Sequence, residues 1–148
     1  VKKLFFAAIL MMGISIMLMG CSSNKENDVN WDLEKAQKID IVSADIAEEV
    51  LSTLNHQEEI DKFVNRLEIQ EWDNDVLPSD AVKSHTFLMY QEGTVKPGDA
   101  AASNNELNKV ASITSFEGIP FIEFQTKNMN FIFQIPNDAA EYLWNIEP

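Results

Sequence analysis

Residues 109–135 read KVASITSFEGIPFIEFQTKNMNFIFQI. The stretch divides into three apolar runs of strand length: KVASITSF at 109–116, IPFIEFQT at 119–126 and MNFIFQI at 129–135. Glu117-Gly118 and Lys127-Asn128 separate them, and glycine and asparagine are the residue types that accept the positive φ of a tight hairpin. In the third run Met129, Phe131, Phe133 and Ile135 fall on one side, Asn130 and Gln134 on the other. That period of two marks a half-buried strand. The stretch therefore predicts an antiparallel meander with one apolar side, and that side needs a cover.

Covering elements are legible on both flanks. Upstream, NHQEEIDKFVNRLE at 55–68 places Ile60, Phe63, Val64 and Leu67 at helical spacing. Asn55 and Glu58 stand where a capping box would start that helix. Downstream, PNDAAEYLWNIEP carries a short stripe of Ala139, Tyr142, Leu143 and Ile146, with Pro136 and Asp138 suited to a helix start. SHTFLMYQ at 84–91 reads as a strand buried on both faces near its middle. KIDIVS at 38–43 alternates through Ile39 and Ile41, and EEVLSTL at 48–54 alternates through Val50, Ser52 and Leu54. These two favour a hairpin turning through ADIAE; the alternative is a helix over 44–54, with Ile46, Val50 and Leu51 at helical spacing. Runs of strands with separate helices define an α+β fold: an antiparallel sheet of about four to six strands, one helix near 56–68 and a short C-terminal helix. Between them, 70–83 and 92–106 read as loops.

Candidate chemistry is sparse. His56 opens a helix beside Glu58 and Glu59, a surface setting. Ser84 and His85 are neighbours on an expected strand, where successive side chains point to opposite faces, so they are not expected to pair. The chain has no G-x-S-x-G, H-E-x-x-H, C-x-x-C or phosphate-binding glycine loop. Asp73 and Asp75 alternate along a loop and share a side, which makes them the best, though weak, candidates for a hard cation such as Ca²⁺. The glycine and distal glutamate of an EF-hand loop are missing. Trp72, between Glu71 and Asp73, reads as a lid on the edge of the core. The expectation is a protein that is not an enzyme and holds no cofactor.

The formal charge is −13. Such a surface disfavours nucleic acid and bare anionic headgroups, and suits cations or a basic protein partner.

The single cysteine, Cys21, ends the segment VKKLFFAAILMMGISIMLMGC. Lys2 and Lys3 precede an apolar run from Leu4 to Met19, and Gly20 stands before the cysteine. A basic start, an apolar middle and a small exit residue are the parts of a secretory signal. At 1.5 Å per residue a helix of about 16 residues spans roughly 24 Å, short of the hydrocarbon core of about 30 Å. Leu18-Met19-Gly20-Cys21 resembles the lipobox of bacterial prolipoproteins, with Met19 a less usual choice at its position. The resemblance implies cleavage between Gly20 and Cys21 and a diacylglyceryl group on the Cys21 sulfur. The membrane is then a partner through the lipid anchor, and the chain is exported to the outer face of the plasma membrane. In size and element order the rest resembles the small surface lipoproteins of Gram-positive bacteria. The expected organisation is a signal peptide at 1–20, an anchored flexible tether at 21–37 and one domain at 38–148. Its expected role is a binding or interaction module with a protein or cell-envelope partner. The alternatives are an inhibitor or immunity-type protein capping a basic partner, and a Ca²⁺-binding surface protein.

Overall fold

The computed structural model describes residues 33–44, 49–93 and 106–146. The signal segment, Cys21, most of the expected tether, the turn residues 45–48 and most of the 92–106 loop lie outside them.

Among the described residues seven strands form one antiparallel sheet in the order β2-β1-β4-β5-β6-β7-β3. They are β1 (Lys38–Ser43), β2 (Val50–Leu54), β3 (Asp73–Asn74), β4 (Lys83–Glu92), β5 (Leu107–Phe116), β6 (Phe121–Thr126) and β7 (Asn130–Gln134). The α-helices among the described residues, α1 (Gln57–Arg66) and α2 (Asn137–Trp144), complete the α+β architecture. β1 and β2 pair antiparallel, as the hairpin reading expected, and residues 50–54 are strand rather than the end of the alternative helix. Gly118 takes the positive φ of the β5–β6 turn, at 65°. Asn128 does not take a positive φ; in the β6–β7 turn the Thr126 N–H donates to the Met129 carbonyl instead. Met129, at that turn, is half exposed.

The register explains why one face is core. Ile41, Phe87, Ile113, Phe124 and Phe131 are successive cross-strand partners in a single row. Ile39, Met89 and Ala111 form a parallel row beside it. Both helices lie over this face: Ile60, Phe63, Val64 and Leu67 of α1 and its end join Ala139, Ala140 and Leu143 of α2 in one buried cluster with these rows. The Phe63 ring meets Phe87 at 5.1 Å and Tyr142 at 6.1 Å between centroids. Full burial of a ring of that size removes about 150–250 Å² from water, so Phe63 is a central contributor to stability.

Four local details differ from expectation. The N-cap of α1 is His56, not Asn55, and its side chain makes no capping bond; its ring lies 3.4 Å from Glu59 and stays at the surface. The folded part also begins earlier than residue 38. Leu33 and Ala36, flanking a 3₁₀ turn at Leu33–Lys35, are buried in the core, so the stretch expected to be tether contributes to the domain. Residues 84–91 are not buried on both faces; Phe87 and Met89 are buried, whereas Leu88 and Tyr90 are only half-buried. A seventh strand appears inside the expected 70–83 loop. There Trp72 sits in the core edge against Phe133 at 5.3 Å and Phe124 at 6.3 Å, and Asp73–Asn74 run beside β7. Glu68 bends the chain there with φ 49°, a left-handed conformation that is costly for a residue with a Cβ. The bend lets the Trp72 indole N–H donate to the Leu67 carbonyl at 2.7 Å, satisfying one acceptor left open at the end of α1.

Candidate functional site

The opposite face of the sheet has no helix among the described residues, and its side chains are mostly polar. Its rows follow from the same register. Thr53, Asp40, Leu88, Ser112, Gln125 and Asn130 form one, and Val42, Thr86, Thr114, Glu123 and Ile132 another. These groups bind one another. The Thr53 hydroxyl donates to Asp40 Oδ1 at 2.8 Å, while Lys38 Nζ lies 2.8 Å from Asp40 Oδ2 and 4.3 Å from the Tyr90 ring centre. Thr86 and Thr114 share a 3.0 Å hydroxyl pair. Lys83 Nζ donates to Glu123 Oε2 at 3.1 Å and the Asn130 amide donates to Glu123 Oε1 at 2.7 Å, so three strands are joined through one carboxylate. Burial pushes the Glu123 pKa up, but the hydrogen bonds from Asn130 and Lys83 and the Lys83 charge outweigh it, and the net shift is downward.

Ser84 and His85 are brought together, against the expectation from strand alternation. Ser84 Oγ and His85 Nδ1 lie 2.9 Å apart. The cause is an irregularity of β4: Lys83 pairs with Phe116 and Thr86 with Thr114, so two residues, Ser84 and His85, stand opposite Ser115 alone. Such a bulge breaks the alternation on which the expectation rested. Ser115 Oγ holds the extra peptide, accepting from the His85 N–H at 3.3 Å and donating to its carbonyl at 3.4 Å. Among the described residues no carboxylate bonds the His85 ring, so the pair lacks the orienting third group of a nucleophilic triad.

Asp73 and Asp75 are exposed at the β3 edge. Asp75 Oδ1 accepts the Val76 N–H at 2.7 Å, and the Asp75 N–H donates to the Ile132 carbonyl at 3.2 Å. Among the described residues no three His, Cys, Asp or Glu side chains gather as a metal site. A polar hollow of about 260 Å³ lies between the 3₁₀ turn and α1, lined by Glu34, Asp61 and Asn65. Gln57 Nε2 donates both to the Glu34 carbonyl at 3.3 Å and to Asp61 Oδ1 at 2.8 Å.

The two sheet edges contrast. At one, β3 is two residues long and both are exposed and polar, next to Glu71 and Asp75. At the other, β2 reads Val-Leu-Ser-Thr-Leu, with no charge and no proline, and Val50 is 51% exposed. Comparison with protein-family models, curated proteins and solved structures returns no match to any of them.

Proposed function

We propose that the protein is a lipid-anchored module on the outer face of the plasma membrane, whose domain binds a partner rather than carrying out a reaction. The observation that carries the reading is Leu18-Met19-Gly20-Cys21 at the end of a basic-then-apolar leader. The thiolate is the ordinary side chain most readily alkylated, so a lone cysteine at that place suits lipid attachment. Two acyl chains suit stable anchoring, because each buried CH₂ adds about 0.8 kcal/mol and one chain holds only marginally. Eleven residues, 22–32, separate Cys21 from Leu33, the first buried residue among those described. That length reaches at most about 40 Å, which keeps the domain near the bilayer. The polar face supports binding rather than catalysis, since its groups pair with each other across strands instead of converging on one reacting atom.

The test is fractionation of cells making the wild type or Cys21→Ala, together with fatty-acid labelling. Wild type takes up label and leaves membranes with detergent but not with salt; Cys21→Ala takes up none and is recovered in the soluble fraction. A variant that still needs detergent overturns the anchor.

One observation favours a second reading, the capping of a basic partner: Glu58, Glu59, Asp61, Glu71, Asp73 and Asp75 are all exposed along α1 and the segment after it. A basic protein retained on the immobilised chain at low salt and released as salt rises supports it; retention independent of salt opposes it.

A further inference from the structure

The stretch that joins Cys21 to the domain ends in a strap, residues 33–37, laid against α1 and the end of β4. Leu33 and Ala36 are buried. The Gln57 amide donates to the Glu34 carbonyl at 3.3 Å, the Gln37 N–H to the Tyr90 carbonyl at 2.9 Å, and the Glu92 N–H to Gln37 Oε1 at 3.0 Å. Glu34, Gln37 and Gln57 are exposed, so water competes for these bonds. The polar hollow of about 260 Å³ shows that the strap and α1 are not packed flush along their seam. One leucine, one alanine and a few exposed hydrogen bonds make a small cooperative unit, of the kind that opens before the fold it rests on.

The rest of the fold does not hang on the strap. β1 is paired on both sides, by β2 and by β4. The Phe63 ring meets Phe87 and Tyr142, neither of them on the strap. We propose that residues 33–37 are a reversible latch, whose release lengthens the tether between the membrane and an otherwise intact domain. The proposal rests on the reading of Cys21 as a lipid anchor. Latched, 11 residues, 22–32, separate Cys21 from Leu33; released, 16 residues, 22–37, separate it from β1. At about 3.3–3.6 Å per extended residue, the five added residues give as much as roughly 17 Å of further reach. A pull along the tether acts first on Leu33, which is nearer the anchor than any other buried residue described, and peels the strap before it loads the ladder of β1. A partner beyond the height of the latched domain is then met by opening the strap alone.

The test uses the full chain, reconstituted into vesicles from the membranes of cells that make it. Hydrogen exchange is read by mass spectrometry on peptides spanning 33–37 and 38–43. Corrected for intrinsic rates, the first is expected to exchange at least about tenfold faster than the second. Gln57→Ala removes a surface hydrogen bond and is expected to speed exchange of 33–37 by a further factor of about two to ten, leaving 38–43 unchanged. Leu33→Ala is expected to remove the remaining protection of 33–37 and again to spare 38–43. A single rate for both stretches in the wild type, or loss of protection in both with either variant, overturns the latch. A dye on Asp138→Cys, exposed at the start of α2, reports height by energy transfer to an acceptor lipid. Transfer is expected to fall when Leu33→Ala is added; unchanged transfer overturns the lengthening. Failure of the anchor reading has a separate signature: Cys21 takes up no fatty acid, and the wild type is not recovered with the vesicles.

Discussion

Phe63→Ala is the substitution that most directly probes how the sheet is held. Phe63 is fully buried, its ring in contact with Phe87 from β4 and Tyr142 from α2, so it joins both helices to the middle of the sheet. Removing a ring of about 150–250 Å² at about 25 cal/mol per Å² forfeits roughly 4–6 kcal/mol of transfer free energy as an upper bound. Measured Phe→Ala losses in cores run at about 3–5 kcal/mol, and we expect this one in that range. A domain of this size is stable by only about 5–15 kcal/mol, so the variant retains a small remainder. Urea unfolding followed by tryptophan fluorescence measures it, since Trp72 is buried against Phe133 and Phe124 in the fold. The midpoint should fall with an unchanged slope. Phe87→Ala should lose a similar amount, and the pair should be non-additive by about 0.5–1.5 kcal/mol because the rings touch. A loss below about 1 kcal/mol for Phe63→Ala would refute the account of a sheet covered by α1.

Two further outcomes follow from the open face. Glu123 has a folded pKa below its ordinary value, so its contribution is present above the unfolded pKa and is lost as pH falls through the folded one. Urea titrations stepped downward through the carboxylate range should show Glu123→Gln losing less stability with falling pH than the wild type; parallel curves would show that the Lys83 and Asn130 bonds do not favour the charged form. Thr53→Val removes the hydroxyl that donates to the largely buried Asp40 at 2.8 Å, a bond to a charged acceptor and a tie between β1 and β2. It should cost about 1.5–3 kcal/mol and speed amide exchange in β2 before the rest of the sheet; uniform exchange through β1 and β2 would contradict that tie.

Elements written in their own residues were legible in the sequence. The hairpins of β5–β6–β7 and the α1 stripe need only local alternation, glycine and helical spacing, and they appear where those signals are. What was hidden depends on a distant partner. The bulge at Ser84–His85 exists because Ser115, on another strand, bonds the extra peptide, and nothing within SHTFLMYQ encodes that. β3 is strand only because Trp72 docks against Phe133 and draws Asp73–Asn74 alongside β7. Leu33 and Ala36 are two apolar residues in a polar run, too few to signal order until the sheet offers them a surface. Among candidate sites, the proposal for Cys21 rests on a linear motif and so needs nothing of the fold. The polar network around Glu123 was not legible, because its members come from three strands and meet only through register.

The division of the sheet into two faces bears on how this protein is to be interrogated. Helical cover and fully buried aromatics concentrate the stability on one side. The other side and the β2 edge carry groups whose loss costs one hydrogen bond or one exposed methyl cluster at a time. Val50 can be changed without opening the core, because it is half exposed and outside the buried cluster. A Val50→Glu chain should therefore unfold at nearly the wild-type urea concentration, within about 0.5 kcal/mol, as surface substitutions do. A fall well beyond that would place Val50 among the groups that hold β2 to β1, and the edge would then be structural.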